Sequence, residues 1–320
     1  MIMKKKKKIL IFMFLFSLIS FGLIFFCDKE DYENSNVDAA TTIAAENEYD
    51  YYSCIYYTYS GIESYDDVNA AIKDLESYLA SYDVSVYFED PVTGFSYSYN
   101  EDDIYYAAST IKLVAALYLY NMAENGSVNL DDTLVYTSSY KYDSSIDMEK
   151  YSYGTSVCIR NLVKYAVEDS DNSAYRMLLD YIGFDNLKAY GNSLGAQYTL
   201  VGGDNYGEIT GNDAIAYLNE LYDYFETETT LAVELQSYFI VADENYLDFS
   251  DAQAASKYGE YSEFHNELGI VYIDNPYLIS ILTREGDNEE LNETINAKVR
   301  NIIELFYAHR NSICRASMYD

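Results

Sequence analysis

Three short strings in the chain carry residue types that could perform acyl transfer on a serine. They are Ser109-Thr110-Ile111-Lys112, Ser170-Asp171-Asn172 and Lys257-Tyr258-Gly259. A serine hydroxyl is a weak nucleophile unless a base removes its proton during attack. Residues three apart on a helix share a face, so Lys112 can reach the Ser109 hydroxyl. Burial and neighbouring cations would lower the pKa of Lys112 and allow its neutral amine to act as that base.

The other groups that commonly activate a nucleophile are scarce. The only histidines are His265 and His309, and neither lies in a nucleophile-elbow context. A zinc site needs several clustered histidine or cysteine ligands, whereas the four cysteines are scattered, at Cys27, Cys54, Cys158 and Cys314. We therefore predict no metal and no other cofactor. A lysine is the available base.

Together and in this order, the three strings resemble the S-x-x-K, S-D-N and K-T-G motifs of class A β-lactamases and penicillin-binding proteins. The resemblance extends from about residue 68 to about residue 310. It implies that Ser109 is the acylated nucleophile and Lys112 its base. Ser170 would relay a proton toward the leaving nitrogen, and Asp171 would tie its own loop.

The same resemblance implies how a substrate is held. Asn172 would orient Lys112 and bind the substrate amide, and Lys257 would supply positive charge for a substrate carboxylate and for the Ser170 relay. Gly259 would let the substrate backbone approach. The backbone N–H of Glu260 would form an oxyanion hole together with an N–H at the helix N-terminus near Ser109.

Two departures from the family pattern bear on activity. Tyr258 stands where the third motif has threonine, so a phenol would contact or narrow the carboxylate subsite. Class A β-lactamases also use a glutamate that positions water for deacylation. The corresponding stretch, Gly202 to Glu208, is short and rich in glycine. Glu208 is the one candidate for this base, and we expect it not to have that role.

Hydrophobic periodicity predicts the elements that position these strings. Val68 to Leu79 follows a helical period, and Ala107 to Tyr120 is an apolar stretch typical of a buried helix. Strand patterns occur around a turn at Asp90–Gly94 and again between residues 254 and 283, and a last helix is predicted from Leu291 to Phe306. Strands at both ends with helices between them predict an α/β fold: an antiparallel sheet of about five strands flanked by helices, with an inserted all-α lobe.

The predicted organisation begins with a segment outside the catalytic fold. Residues 1–27 combine five lysines with a long apolar run, which predicts a signal or, preferably, a retained membrane anchor. Lipidation at Cys27 is disfavoured by the bulky residues before it. Residues 28–66 are predicted to be an acidic flexible stalk. The predicted catalytic domain spans 67–310, with an α/β part at 67–120 and 200–310, a helical lobe at 121–199 and a tail at 311–320.

The net charge of −33 disfavours binding to nucleic acid. The expected function is that of an exported serine hydrolase that acts on β-lactams through an acyl-serine intermediate. A D,D-peptidase-like enzyme acting on acyl-D-Ala-D-Ala-like wall peptides is one alternative. A catalytically weak module that binds β-lactams or wall fragments is another. We expect a monomer, located at the outer face of the cell membrane or secreted.

Overall fold

A computed structural model describes residues 65–143, 145–243, 245–286 and 288–317, and side chains through residue 310. The predicted anchor at 1–27 and residues 28–64 of the predicted stalk lie outside the described residues. No helix within the described ranges is both long and apolar enough to cross a bilayer.

Nine strands occur in the described residues: β1 (Val84–Glu89), β2 (Ser96–Tyr99), β3 (Tyr105–Tyr106), β4 (Thr133–Val135), β5 (Ser156–Cys158), β6 (Glu208–Ile209), β7 (Gln253–Tyr261), β8 (Phe264–Tyr272) and β9 (Tyr277–Thr283). Five of them form one sheet in the order β2-β1-β9-β8-β7, and every neighbouring pair is antiparallel. The predicted five-stranded antiparallel sheet is therefore confirmed. β3 pairs with β6, and β4 with β5, as small ribbons.

The N-terminal part of the chain enters the sheet through a hairpin. The side chain of Asp90 accepts a hydrogen bond from Val92 N at 2.9 Å, which closes the turn between β1 and β2. β1 then pairs with β9 in a register that places Val86 opposite Ile281. Because these two strands lie near opposite ends of the sequence, the sheet is completed only when both ends of the domain have come together.

Eight α-helices occur in the described part of the chain: α1 (Asp66–Leu79), α2 (Ile111–Glu124), α3 (Ile159–Glu168), α4 (Asn172–Ile182), α5 (Phe184–Ser193), α6 (Gly211–Phe225), α7 (Thr230–Ile240) and α8 (Glu289–Ser317). α1 and α8 cover one face of the sheet. Their apolar stripes bury Leu75, Leu79, Ile295 and Val299 against it. α6 packs on β9 and β1, and α7 packs on β7, across the opposite face.

α2 is the central helix of the larger hydrophobic core. Nine of its residues are buried, on all sides of the helix, in contact with α3, α4, α5 and α7. A helix that is apolar all round is stable only in such a fully enclosed position. The first turn of α2 carries Lys112, so the packing of this helix fixes where the lysine lies relative to the sheet.

Candidate active site

Ser109 lies where the chain passes from β3 into α2. A short 3-10 turn, Ala108–Thr110, connects the two elements. The backbone N–H of Ala107 donates to Gly207 O at 3.1 Å, which attaches this segment to the chain just before β6. Ala108 has a φ of +50°, a region that residues with a side chain rarely adopt. Such strain clusters at functional sites, and here it adjoins a serine that is partly accessible.

Lys112 follows one helical turn after Ser109, and its side chain is only 1% exposed. Its Nζ donates to three oxygens of the second string. These are the carbonyl oxygen of Ser170, the Oγ of Ser170 at 3.0 Å and the Oδ1 of Asn172 at 2.7 Å. The structure thus brings the first and second strings together around a single buried amine.

The surroundings of Lys112 disfavour its charged form. Burial lowers the pKa of Lys112 well below its ordinary value, the nearby Lys257 lowers it further, and Asp171 opposes the shift. An ammonium group has three N–H donors, which match the three acceptors, whereas a neutral amine has two donors and a lone pair. The carbonyl and the amide oxygen can only accept. Ser170 Oγ is therefore the contact that can reverse and donate to neutral Lys112.

The loop that carries Ser170 and Asn172 is held by Asp171. One carboxylate oxygen accepts from Ala174 N at 2.9 Å and caps the N-terminus of α4. The other accepts from the backbone N–H groups of Asp147 and Met148, both at 3.0 Å. Ser170 itself has a φ of +53°, so its backbone is held in an unfavourable conformation. These bonds stabilise the orientation in which Ser170 presents two oxygens to Lys112.

The third string lies on β7, which is an edge strand of the described sheet. Lys257 is fully buried, and its Nζ donates to the carbonyl oxygen of Tyr258 at 3.1 Å. The same Nζ lies 4.0 Å from the centre of the Tyr258 ring. A ring at this distance stabilises the lysine charge through a cation–π interaction. The phenol that stands in place of threonine thus lies against Lys257, the residue predicted to attract a substrate carboxylate.

Gly259 packs directly on the backbone of the turn that carries Ser109. A Cβ at this position would lie 2.8 Å from Ala107 O, 2.8 Å from Thr110 N and 2.9 Å from Ser109 N. Only a residue without a side chain allows β7 to approach this closely. Glu260 follows as the next residue of the strand, so its backbone lies beside the Ser109 turn.

Glu208 lies on β6 opposite Tyr106. Its carboxylate is not among the acceptors of Lys112, which are confined to Ser170 and Asn172.

Sequence reasoning missed Tyr206, whose side chain reaches the hydrogen-bond network of Lys112 and Asn172. The hydroxyl of Tyr206 donates to Asn172 Oδ1 at 2.9 Å. Tyr206 and Asn172 are 34 positions apart and belong to no shared motif, so neither spacing nor composition indicated the contact.

The described part of the chain contains no group of three or more histidine, cysteine, aspartate or glutamate side chains arranged to hold a metal ion. Cys158, on β5, is a buried free thiol. The reactive groups assembled at Ser109 are a hydroxyl, a buried amine, a second hydroxyl and a second buried lysine. This set is suited to acyl transfer onto an oxygen nucleophile.

Comparison with known families gives one match that covers most of the chain. A family model described as the β-lactamase enzyme family matches residues 67–306. Among curated proteins, the ROB-1 β-lactamases of Haemophilus influenzae and Mannheimia haemolytica are each 36% identical to the chain over 101 residues. Those alignments cover 31% of this chain and 32% of each relative, so they span about a third of the relatives' length.

Solved structures match over more of the chain. The TLA-1 extended-spectrum β-lactamase superposes with a TM-score of 0.65 at 18% identity, covering 74% of this chain and 99% of that one. A β-lactamase from Sphaerobacter thermophilus gives 0.62 at 19%, covering 72% and 95%. A mutant of PBP-A in an acyl-enzyme complex with penicillin G gives 0.67 at 16%, covering 74% and 97%. At these identities the likeness establishes the fold.

Proposed function

The chain belongs to the β-lactamase enzyme family, and on that premise we propose that it is a serine hydrolase that opens β-lactams through an acyl-Ser109 intermediate. The observation that carries the proposal is the environment of Lys112. A lysine buried against Ser170 and Asn172, with its pKa lowered by burial and by Lys257, lies one helical turn from a partly accessible serine. These are the conditions under which a lysine serves as a general base.

In the acylation step, Ser109 Oγ attacks the carbonyl carbon of the lactam and a C–O bond forms. The hydroxyl proton passes to the neutral Nζ of Lys112. As the tetrahedral intermediate collapses, the ring C–N bond breaks, and the nitrogen receives a proton through Ser170 Oγ, which regains one from Lys112. The 3.0 Å contact between Lys112 Nζ and Ser170 Oγ supports this route. The step consumes no co-reactant.

Substrate binding would use the strand side of the site. We propose that the backbone N–H groups of Ser109 and Glu260 stabilise the developing oxyanion, since Gly259 packs against the Ser109 turn. Lys257 would attract the carboxylate of the substrate, and Asn172 would bind its amide. Tyr258 would restrict access to Lys257 because its ring already lies 4.0 Å from the lysine Nζ.

A second candidate function is that of a penicillin-binding, D,D-peptidase-like enzyme acting on acyl-D-Ala-D-Ala-like peptides. The acceptors of Lys112 Nζ belong to Ser170 and Asn172 and include no carboxylate, and Asn172 Oδ1 also accepts from the Tyr206 phenol. Hydrolysis of the acyl-enzyme needs a base that activates water. A site without one would acylate and then remain acylated, which describes a penicillin-binding protein better than an efficient β-lactamase.

One pair of assays distinguishes these functions. A fluorescent penicillin reports covalent labelling, and a chromogenic cephalosporin reports turnover. Labelling with turnover supports the hydrolase, and labelling without turnover supports the peptidase-like enzyme. If the native protein is labelled and the Ser109→Ala variant is still labelled, Ser109 is not the nucleophile. Native protein that is neither labelled nor active would favour a catalytically weak binding module.

We also propose that the protein acts as a monomer outside the cell, held by its N-terminal segment at the outer face of the membrane or released from it. The five lysines followed by an apolar run support this location, and the strong acidity supports partners other than nucleic acid. Protease added to intact cells should remove the catalytic domain. Protection in intact cells and digestion only after lysis would contradict the proposal.

A further inference from the structure

Tyr206 is a tyrosine outside all three motifs whose hydroxyl reaches the catalytic network. We infer that Tyr206 is a positioning residue that limits how readily Lys112 takes up a proton, because both side chains donate to the same oxygen of Asn172. The inference rests on the proposed role of Lys112 as the base for Ser109. It adds a residue of the loop before β6 that adjusts the proton affinity of Lys112.

The geometry places two donors on one acceptor. Asn172 Oδ1 receives Lys112 Nζ at 2.7 Å and the Tyr206 hydroxyl at 2.9 Å. An amide oxygen has two lone pairs, so it can accept both bonds. Each donor withdraws electron density from the oxygen, and the oxygen is then a weaker acceptor for the other. The phenol therefore reduces the stabilisation that Asn172 gives to a charged lysine.

The turn that carries Tyr206 is attached on two sides. Asp204 Oδ1 accepts from the backbone N–H of Tyr206 at 2.7 Å and from the hydroxyl of Tyr106 at 3.0 Å. The hydroxyl of Tyr175, on α4, donates to Asn205 O at 2.6 Å. The turn thus links the strand that leads to Ser109 with the helix that begins at Asn172. The phenol is fixed before any substrate arrives.

The other groups near Lys112 also affect its charge, and the Tyr206–Asn172 hydrogen bond acts in addition to them. Lys257 approaches from β7 and Asp171 from the loop before α4, with opposite effects on the lysine charge. The ring of Tyr175, on α4, has its centre 6.0 Å from Nζ. Burial raises the pKa of Tyr206, so its hydroxyl stays protonated and keeps donating. The hydrogen bond from Tyr206 is thus a contribution to the surroundings of Lys112 that can be changed while Lys257 and Asp171 are retained.

The test measures acylation of Ser109 against pH. The burst of p-nitrophenol from p-nitrophenyl acetate, corrected with Ser109→Ala, reports the nucleophile without requiring β-lactam recognition. Tyr206→Phe removes only the hydroxyl. The pKa of Lys112 should rise, so the pH at which the acylation rate increases should move up by about 0.5–1 unit. At pH values below that increase, acylation should be about three- to tenfold slower.

Site-specific 3-fluorotyrosine at position 206 gives a second, opposite change. Its more acidic phenol is a stronger donor with nearly the same shape, so the limb should move to lower pH. Tyr217→Phe is the matched control. Its buried hydroxyl bonds Thr199 Oγ1 at 2.6 Å and contacts neither Lys112 nor Asn172, so the limb should stay in place.

If Tyr206 were merely structural, Tyr206→Phe would slow acylation equally at every pH, and that result overturns the inference. An unchanged pH profile of acylation in both the Tyr206→Phe and the 3-fluorotyrosine variants also overturns it. Absence of any Ser109-dependent burst in the native protein also overturns it. A burst with the expected shifts, but no labelling by fluorescent penicillin, would retain the inference and reject β-lactams as substrates.

Discussion

The two walls of the candidate active site hold their polar groups by different means. The helical wall, made of Lys112, Ser170, Asp171 and Asn172, is held by side-chain hydrogen bonds among its own residues and to the backbone. The strand wall, made of Lys257, Tyr258, Gly259 and Glu260, is held by the register of β7 with β8 and by close backbone packing at Gly259. The helical wall is held by matched hydrogen-bond donors and acceptors, and the strand wall by close packing that leaves no space for a side chain at Gly259.

This difference indicates where each wall tolerates change. A polar group removed from the helical wall leaves a buried donor or acceptor without its partner, which costs more than the bond contributed. On the strand wall, a Cβ added at Gly259 would lie within 3 Å of backbone atoms at the Ser109 turn, so the backbone would have to shift. The departure from the family motif, Tyr258, lies on the strand wall, whereas both motifs of the helical wall are intact.

The largest expected effect comes from the helical wall. Lys112→Ala should slow acylation by about 10²–10⁴-fold, because it removes the base that we propose for Ser109. In the native protein, acylation should rise with pH through the lowered pKa of Lys112, since only the neutral amine accepts the proton. Stopped-flow labelling from pH 5 to 10 measures both effects. A native rate that falls across this range would exclude a lysine base.

Gly259→Ala tests the strand wall. The new Cβ would lie within 3 Å of three backbone atoms at the Ser109 turn, so the turn or the strand must shift. We expect acylation to slow by at least about tenfold, and stability to fall by about 1–3 kcal/mol. Labelling rates and urea unfolding measure these changes.

Gly94→Ala is the matched control for this substitution. Gly94 lies in the β1–β2 turn with a φ of +71° and open space where a Cβ would be. The variant should lose stability through backbone strain but keep its acylation rate. Equal losses of acylation in the two variants would mean that the effect at Gly259 is general destabilisation.

Tyr258→Thr should have a smaller, favourable effect. Removing the ring from Lys257 opens the cation to a substrate carboxylate, and we expect acylation by penicillins to rise several-fold. Deacylation should not change, because the substitution neither adds nor removes a base that could activate water. Single-turnover kinetics separate the two steps. Slower acylation after the substitution would show that the phenol holds Lys257 in place more than it obstructs it.

The smallest expected effect is that of Glu208→Gln. The Glu208 carboxylate is not bonded to Lys112, so neither acylation nor deacylation should change measurably. This variant tests our prediction that Glu208 is not the deacylation base. Accumulation of acyl-enzyme in the variant, together with fast turnover in the native protein, would assign that role to it after all.

Much of the fold could be predicted from local patterns. Leu75 and Leu79 follow the period of a helix, and the hairpin at Asp90 follows alternation and turn residues. The strands near the C-terminus follow apolar runs bounded by turn residues. The predicted buried helix at 107–120 forms as α2, although it begins with a 3-10 turn and continues to Glu124. End positions are set by packing and capping, which the hydrophobic period does not encode.

The sequence by itself determined that Ser109 and Lys112 lie one turn apart at the start of α2, because residues three apart on a helix share a face; the bonds of Lys112 Nζ go to Ser170 and Asn172. Through the shortage of histidine it also led to the prediction that a lysine is the base. These conclusions depend on short separations and on composition, which folding does not alter.

Only the tertiary structure decided which groups surround that lysine. Ser170 lies 58 positions from Lys112, and Tyr206 lies 34 positions from Asn172. Contacts at such separations depend on how α2, α4 and the loop before β6 pack. The lowered pKa of Lys112 and the phenol on Asn172 arise from burial and proximity, and both are created when these elements close around the amine.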